Sequence, residues 1–431
     1  MSGPHLLGHE ARALLRLLLA FEAGPAEAAA AALRAGASAA TDAGVWRELA
    51  LALAAHGLAP WAHEVLGRAG AAEWVSPPFL ARLKDHRRAT ALRNRTLFAA
   101  LDGIAAACAA AGLELVPLKG AALARRLYGD VGLRPMQDLD LLVRPAAVAD
   151  AAGLLRGFGY AVPRHLDERA ARREHFHCVF EDRARGVKVE LHWSLGDEAA
   201  LPAQALGGVW ERSSAAAPGL RALDPATELV AVAAHAWKHG SLNPALVADP
   251  GLAPLVLEPL SGNRLVWLLD VHRLLRAGGA VPGACRALAR AWDAAAAFEG
   301  ALALAQAAFG PVDGWEPPPG GPGRDASLAR LLAVRGLARG LARGSRRAAR
   351  TLERLNRMDP HLQARPIRAL ELLDAFRAPA ALRALRGRWG AAAAPLCWIG
   401  AALAGSAAVG GAAATFARGR ARRRRFRRGG H

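Results

Sequence analysis

The chain has 431 residues, 53% of them hydrophobic, and a formal net charge of +19. That length allows two or three domains with their own cores, and the charge favours an anionic partner such as RNA or a membrane surface. Cys108, Cys178, Cys285 and Cys397 are isolated in sequence, which argues against a zinc ribbon or a disulfide framework and fits a reducing cytoplasm.

From the N-terminus, HEARALLRLLLAFEAG and WRELALALAAHGLAPWAHEVLGRAG carry helical periodicity without a basic-then-apolar signal pattern. A helix from Phe98 to Ala111 feeds an apolar run, Leu113 to Leu118, which reads as a buried strand ending at Lys119-Gly120. Ala121 to Tyr128 has good helix propensity. A turn-rich stretch, Gly129 to Pro135, leads to a second apolar strand carrying Asp138 and Asp140. Residues two apart on a strand face one side, so these carboxylates project together while Leu139 and Leu141 point into the core. Like charges held that close are costly unless a cation lies between them, and Mg²⁺ prefers carboxylate oxygens. The glycine at the strand-to-helix turn lets backbone N–H groups approach a phosphate at a helix N-terminus. Such a cradle beside paired carboxylates suits metal-assisted phosphoryl or nucleotidyl transfer.

Further along, Pro145 suits the first turn of a helix that Gly157 to Gly159 ends. His177 to Glu181 and Val187 to Trp193 read as a hairpin around Asp182 to Gly186. In its second strand Lys188, Glu190 and His192 share one face, and that polar face is expected to line the site. From Pro225 the chain turns helical again, through ATELVAVAAHAWKHG and RLVWLLDVHRLLRAG. His235 and His239 stand four apart, a spacing open to zinc, to nucleotide or acceptor contact, or to a packed structural pair. Asp270 reads as a capping or locally paired residue. Gly310 to Gly323 is a Pro/Gly-rich linker, followed by Arg-rich helical segments, Ser327 to Arg350 and Ile367 to Arg388. Ala391 to Ala417 runs 27 residues without a charge, enough for a bilayer span, a buried or membrane-surface helix, or disorder. The Arg-rich tail after it is either solvated or bound to anionic lipid or RNA.

Lys119-Gly120, Tyr128, Arg134 and Asp138-Leu139-Asp140 resemble a poorly characterised bacterial nucleotidyltransferase family of the DNA polymerase β-like superfamily. The likeness spans roughly 91–275 and is most specific over Leu118 to Val143 and VKVELHW at Val187 to Trp193. It implies an α+β fold in which a nucleotidyltransferase-type mixed β-sheet domain (96–220) is flanked by α-helical regions. Those are an N-terminal region (1–95) and a substrate- and nucleotide-binding region (221–310). A linker (311–325), an Arg-rich helical region (326–390) and the apolar segment with its tail (391–431) would follow. Asp138, Asp140 and Glu190 would be the catalytic metal ligands, holding two Mg²⁺ ions with Mn²⁺ as the alternative. Glu190 would either ligate a metal or act as the base that takes the acceptor hydroxyl proton. Lys119, Gly120, Arg134, Lys188 and His192 would contact the nucleotide, Arg134 either through a phosphate or as a salt bridge to Asp138.

The implied reaction moves a nucleoside monophosphate from an NTP to an acceptor hydroxyl on a small molecule, protein or RNA. The expected location is the cytoplasm, with the tail at the inner membrane face. The alternative is a non-catalytic nucleotide-binding or membrane-associated scaffold. One departure stands out: the superfamily usually has Gly-Ser or Gly-Gly where this chain has Lys119-Gly120-Ala121. The phosphate-touching hydroxyl is missing, and the connection to Asp138 is longer than usual. Lysine is rare in this Arg-biased chain, at Lys84, Lys119, Lys188 and Lys238 only, and two of the four fall in the expected site.

Overall fold

The computed structural model describes residues 9–22, 26–164, 166–174, 176–195, 208–240, 265–292 and 294–316. The chain divides into two units after Arg324, and all described residues lie in the first. The Arg-rich segments, Ala391 to Ala417 and the basic tail fall outside them. Among the described residues no helix is long and apolar enough to cross a membrane.

The fold is α+β. Helices α1 (His9–Ala20), α2 (Ala26–Ala39), α3 (Ala43–Ala55) and α4 (Ala59–Arg68) precede a long helix, α5 (Pro77–Ala110). Asp42 starts α3, its carboxylate accepting from the Gly44 N–H at 2.7 Å. Proline in the first turn of α5 costs nothing, because N–H groups there have no helical partner. This helix begins at Pro77 rather than near Phe98 and runs unbroken across residue 95. Its buried stripe is Phe79, Leu83, Thr90, Asn94, Leu97, Leu101, Ile104 and Cys108. Thr90 and Asn94 interrupt the apolar periodicity that would announce it. The Asn94 amide donates to the carbonyls of Val131 and Arg134 at 2.6 and 2.8 Å, and so holds the loop before the second strand.

Six strands follow: β1 (Leu115–Pro117), β2 (Leu139–Val143), β3 (His177–Asp182), β4 (Val187–His192), β5 (Ser214–Ala217) and β6 (Leu220–Ala222). Their spatial order is β3-β4-β2-β1-β6-β5. β2 pairs parallel to β4 and antiparallel to β1, and β3–β4 is the expected hairpin. Helix α6 (Lys119–Tyr128) leaves β1, and α7 (Val148–Gly157) and α8 (Glu168–Glu174) lie between β2 and β3. The period-two alternation works as expected on one face. Leu139, Leu141 and Val143 share a core with Val187, Val189 and Leu191, and with Leu97, Leu101 and Ile104 of α5. The register sets Asp140 opposite Glu190 and Leu142 opposite His192. Hairpin β5–β6 has no counterpart in the sequence reading, since its strands are Ala-rich and largely exposed. Gly219 makes its turn at φ +72°, where an added Cβ would come within 2.3 Å of the Ala105 carbonyl oxygen.

Beyond the sheet lie α9 (Pro225–Gly240), α10 (Leu265–Ala277), α11 (Pro282–Ala291) and α12 (Ala295–Phe309). They share one core with the N-terminal helices, in which Leu53, Trp61, Leu269, Phe298 and Phe309 are fully buried. Trp61 meets Phe309 edge-on at 6.1 Å between ring centroids. The first helices and the last therefore clasp each other. The same core takes in Val116, Leu118, Leu123 and Leu142 beneath the polar face of the sheet. His235 lies edge-on to Trp267 at 5.1 Å; the side chain of His239 lies outside the described residues.

Candidate active site

The site forms where β1 gives way to α6 and where β2 and β4 begin side by side. Lys119, the first residue of α6, has φ +49° and is the one described non-glycine residue with positive φ. For an L-residue with a side chain this conformation costs about 1–2 kcal/mol. Gly120 follows under a different constraint: a Cβ there would sit 2.3 Å from Arg134 Nη1 and 3.0 Å from Met136 Cγ. On the far side Arg93 of α5 donates to the Gln137 and Gly186 carbonyls at 2.7 and 2.6 Å. One guanidinium thus ties the backbone just before Asp138 to the backbone just before β4.

Asp138 immediately precedes β2, Asp140 lies within it, and Glu190 is the register partner of Asp140 on β4. Lys119 Nζ is 2.7 Å from Asp140 Oδ1. Lys188 Nζ lies 2.9 Å from both Asp138 Oδ2 and Glu190 Oε1. His192 Nε2 is 3.0 Å from Asp140 Oδ1 and 3.7 Å from Glu190 Oε2. His177, opposite His192 on β3, stacks on it at 5.0 Å and 23° and brings its Nε2 to 3.9 Å from Glu190. The sequence reading did not single out His177, although the hairpin register points to it. Ligand atoms of Asp140, Glu190 and His192 all lie within 4.8 Å of one another. Two carboxylates and an imidazole are a donor set that suits a divalent ion. His192 Nδ1 is buried without a hydrogen-bond partner among the described residues. His192, expected as a nucleotide contact, thus joins two of the expected metal ligands, whereas Asp138 stands outside this group.

Electrostatics separates the three carboxyls. Burial pushes Asp138 up, the charges of Asp140 and Glu190 push the same way, and Lys188 opposes them. Burial would also raise Asp140, but Lys119 and His192 hold it well below the usual carboxylate range. Glu190 is drawn down to about 2 against its burial, chiefly by the nearby His192 imidazole. Burial, reinforced by the nearby His192, lowers His177 to about 4.

A family model described as an uncharacterised nucleotidyltransferase matches residues 42–310, from the N-cap of α3 to the end of α12. The chain belongs to this nucleotidyltransferase family. No curated protein and no solved structure matches it. The nucleotidyltransferase match extends beyond the motif-bearing stretch at both ends, so α3 to α5 and α9 to α12 belong to the family unit, whereas α1 and α2 precede the match.

Arg134 pairs with Asp270 and not with Asp138. Its guanidinium is buried, with Nη2 2.6 Å from Asp270 Oδ2 and Nε 3.2 Å from both carboxylate oxygens of Asp270. The Tyr128 hydroxyl donates to Asp270 Oδ1 at 2.7 Å. Asp270, expected to cap or pair locally, instead reaches from α10 to the end of α6 and the loop before β2. Each buried charge is the other's counter-ion, and Nη1 of the same guanidinium packs where a side chain on Gly120 would go.

Proposed function

We propose that this chain transfers a nucleoside monophosphate from an NTP to an acceptor hydroxyl, with pyrophosphate as leaving group. The observation that carries the reading is the gathering of Asp138, Asp140, Glu190 and His192 beside the N-terminus of α6. Asp140, Glu190 and His192 would hold a divalent ion, Mg²⁺ or Mn²⁺. When bound, it supplies neutralisation of the charge that develops during in-line displacement at the α-phosphorus. Lys119 sits on Asp140 through a side chain that is 26% exposed. Its flexible stem lets the ammonium exchange that carboxylate for a triphosphate oxygen, next to the free N–H groups of the first turn of α6. Asp138, outside the ligand set and held by Lys188, is the carboxylate placed to take the acceptor proton. The acceptor hydroxyl belongs to a small molecule, a protein or an RNA.

The test is incubation of the protein with each NTP, labelled at the α-phosphorus, and Mg²⁺ over a cell extract. A labelled product formed by the wild type and lost in Asp140→Asn is expected. Absence of label from all NTPs would overturn the proposal.

A further inference from the structure

The superfamily pattern implies two divalent ions, and the geometry of this chain points to a different arrangement. We infer that Lys188 is a built-in cation that occupies the position between Asp138 and Glu190, so that the site takes a single divalent ion. The inference rests on the nucleotidyl-transfer reading above and deepens it.

Lys188 lies one residue before Val189, which pairs with Leu139, so it stands beside Asp138 in the parallel register and on the face of Glu190. A lysine two residues from a glutamate on one strand face often forms a bland surface pair. Lys188 does more, because its Nζ reaches across to the neighbouring strand and meets Asp138 Oδ2 and Glu190 Oε1 at the same distance, 2.9 Å. That bridge is what a second metal ion would otherwise supply. The atoms that can converge on one ion come from Asp140, Glu190 and His192, without Asp138. Charge balance agrees: one divalent ion and one ammonium neutralise three carboxylates and leave Lys119 for the triphosphate. A second divalent ion would have to sit against the Lys188 ammonium and share both of its carboxylates, a repulsive arrangement. Arg93, bound to the carbonyls of Gln137 and Gly186, fixes the two strand starts that create the bridge.

The test counts Mn²⁺ on the full chain by electron paramagnetic resonance, with and without a non-hydrolysable NTP analogue. Wild type is expected to bind a single Mn²⁺ at the carboxylates and to show no spin-coupled Mn²⁺ pair. Lys188→Met should double the count and produce the coupled pair, whereas Lys188→Arg, which keeps a cation, should stay at one ion. A coupled pair in the wild type, or a single ion in Lys188→Met, overturns the inference. Label transfer by a wild type carrying a coupled pair would sink this inference and spare the nucleotidyl-transfer reading. A single Mn²⁺ without transfer to any acceptor would do the reverse, and no Mn²⁺ at all would remove both.

Discussion

Arg134 and Asp270 are matched in charge and geometry, and their side chains are 7% and 2% exposed, with Tyr128 completing the carboxylate's partners. Lys119 and Lys188 are 26% and 34% exposed and face three carboxylates, of which Asp138 is raised and Asp140 and Glu190 are depressed in proton affinity. Arg134 precedes Asp138 by only four residues, yet one cluster is saturated and the other is poised. A saturated buried pair has nothing left to offer a ligand and specifies how α6 and α10 dock. A cluster of flexible ammoniums on unequal carboxylates can exchange partners when a metal and a nucleotide arrive.

The sharpest way to break this contrast is to mutate one member of each cluster. Asp270→Ala leaves the Arg134 guanidinium buried and unpaired, and should cost about 3–5 kcal/mol of stability, read from denaturant unfolding. Asp140→Asn should leave a folded protein whose transfer rate falls on the order of 10³-fold, as for loss of a preorganised charge stabiliser. If Asp270→Ala melted like the wild type, the structural role given to the Arg134–Asp270 pair would fail.

Within the carboxylate site the two aspartates should move stability in opposite directions. Asp138 is raised, so its ionised form is penalised in the folded state and Asp138→Asn should raise the melting midpoint near pH 7. Asp140 is depressed, and its stabilisation is present above its unfolded value and lost as pH falls, so Asp140→Asn should lower the midpoint. Equal shifts of one sign would show that the carboxyls are not distinguished as described.

Acid should expose the histidines. His177 and His272 are both lowered to about 4, mainly by burial, so between pH 6.5 and 4 the unfolded chain binds more protons than the folded one. The contribution of these two imidazoles should therefore lower stability as the pH drops from 6.5 to 4, and His177→Asn should make that slope shallower. An unchanged slope in the variant would show that His177 titrates as it does in the unfolded chain.

The smallest effect concerns the strained turn. Lys119→Gly and Lys119→Ala should weaken NTP binding alike by calorimetry, yet the glycine variant should be about 1 kcal/mol more stable because it removes the cost of positive φ. A more stable alanine variant would contradict the strain.

The legible parts of this molecule were those written in short-range alternation. Leu139 to Val143 and Val187 to His192 announce their two faces, and a parallel pairing of those strands then brings Asp140 to Glu190. What stayed hidden depends on partners far away in sequence. Arg134 and Asp270 are separated by 136 residues, and no local pattern links them. Helix α5 conceals its start because Thr90 and Asn94 occupy buried stripe positions. Strands β5 and β6 are built of Ser, Ala, Leu and Arg without a β-branched or aromatic residue, so no propensity announces them. Asp138 is paired with Lys188 of the neighbouring strand at 2.9 Å, a partnership that spacing alone does not reveal.

The most direct test of the central claim uses the purified protein, Mg²⁺, the labelled acceptor fraction and one NTP carrying its label at either the α- or the γ-phosphorus. Nucleotidyl transfer at Asp138, Asp140 and Glu190 predicts that the α-label enters the acceptor, that the γ-label leaves as pyrophosphate, and that Asp140→Asn does neither. Entry of the γ-label into the acceptor, or its release as free phosphate with the α-label left on the nucleotide, would contradict the account.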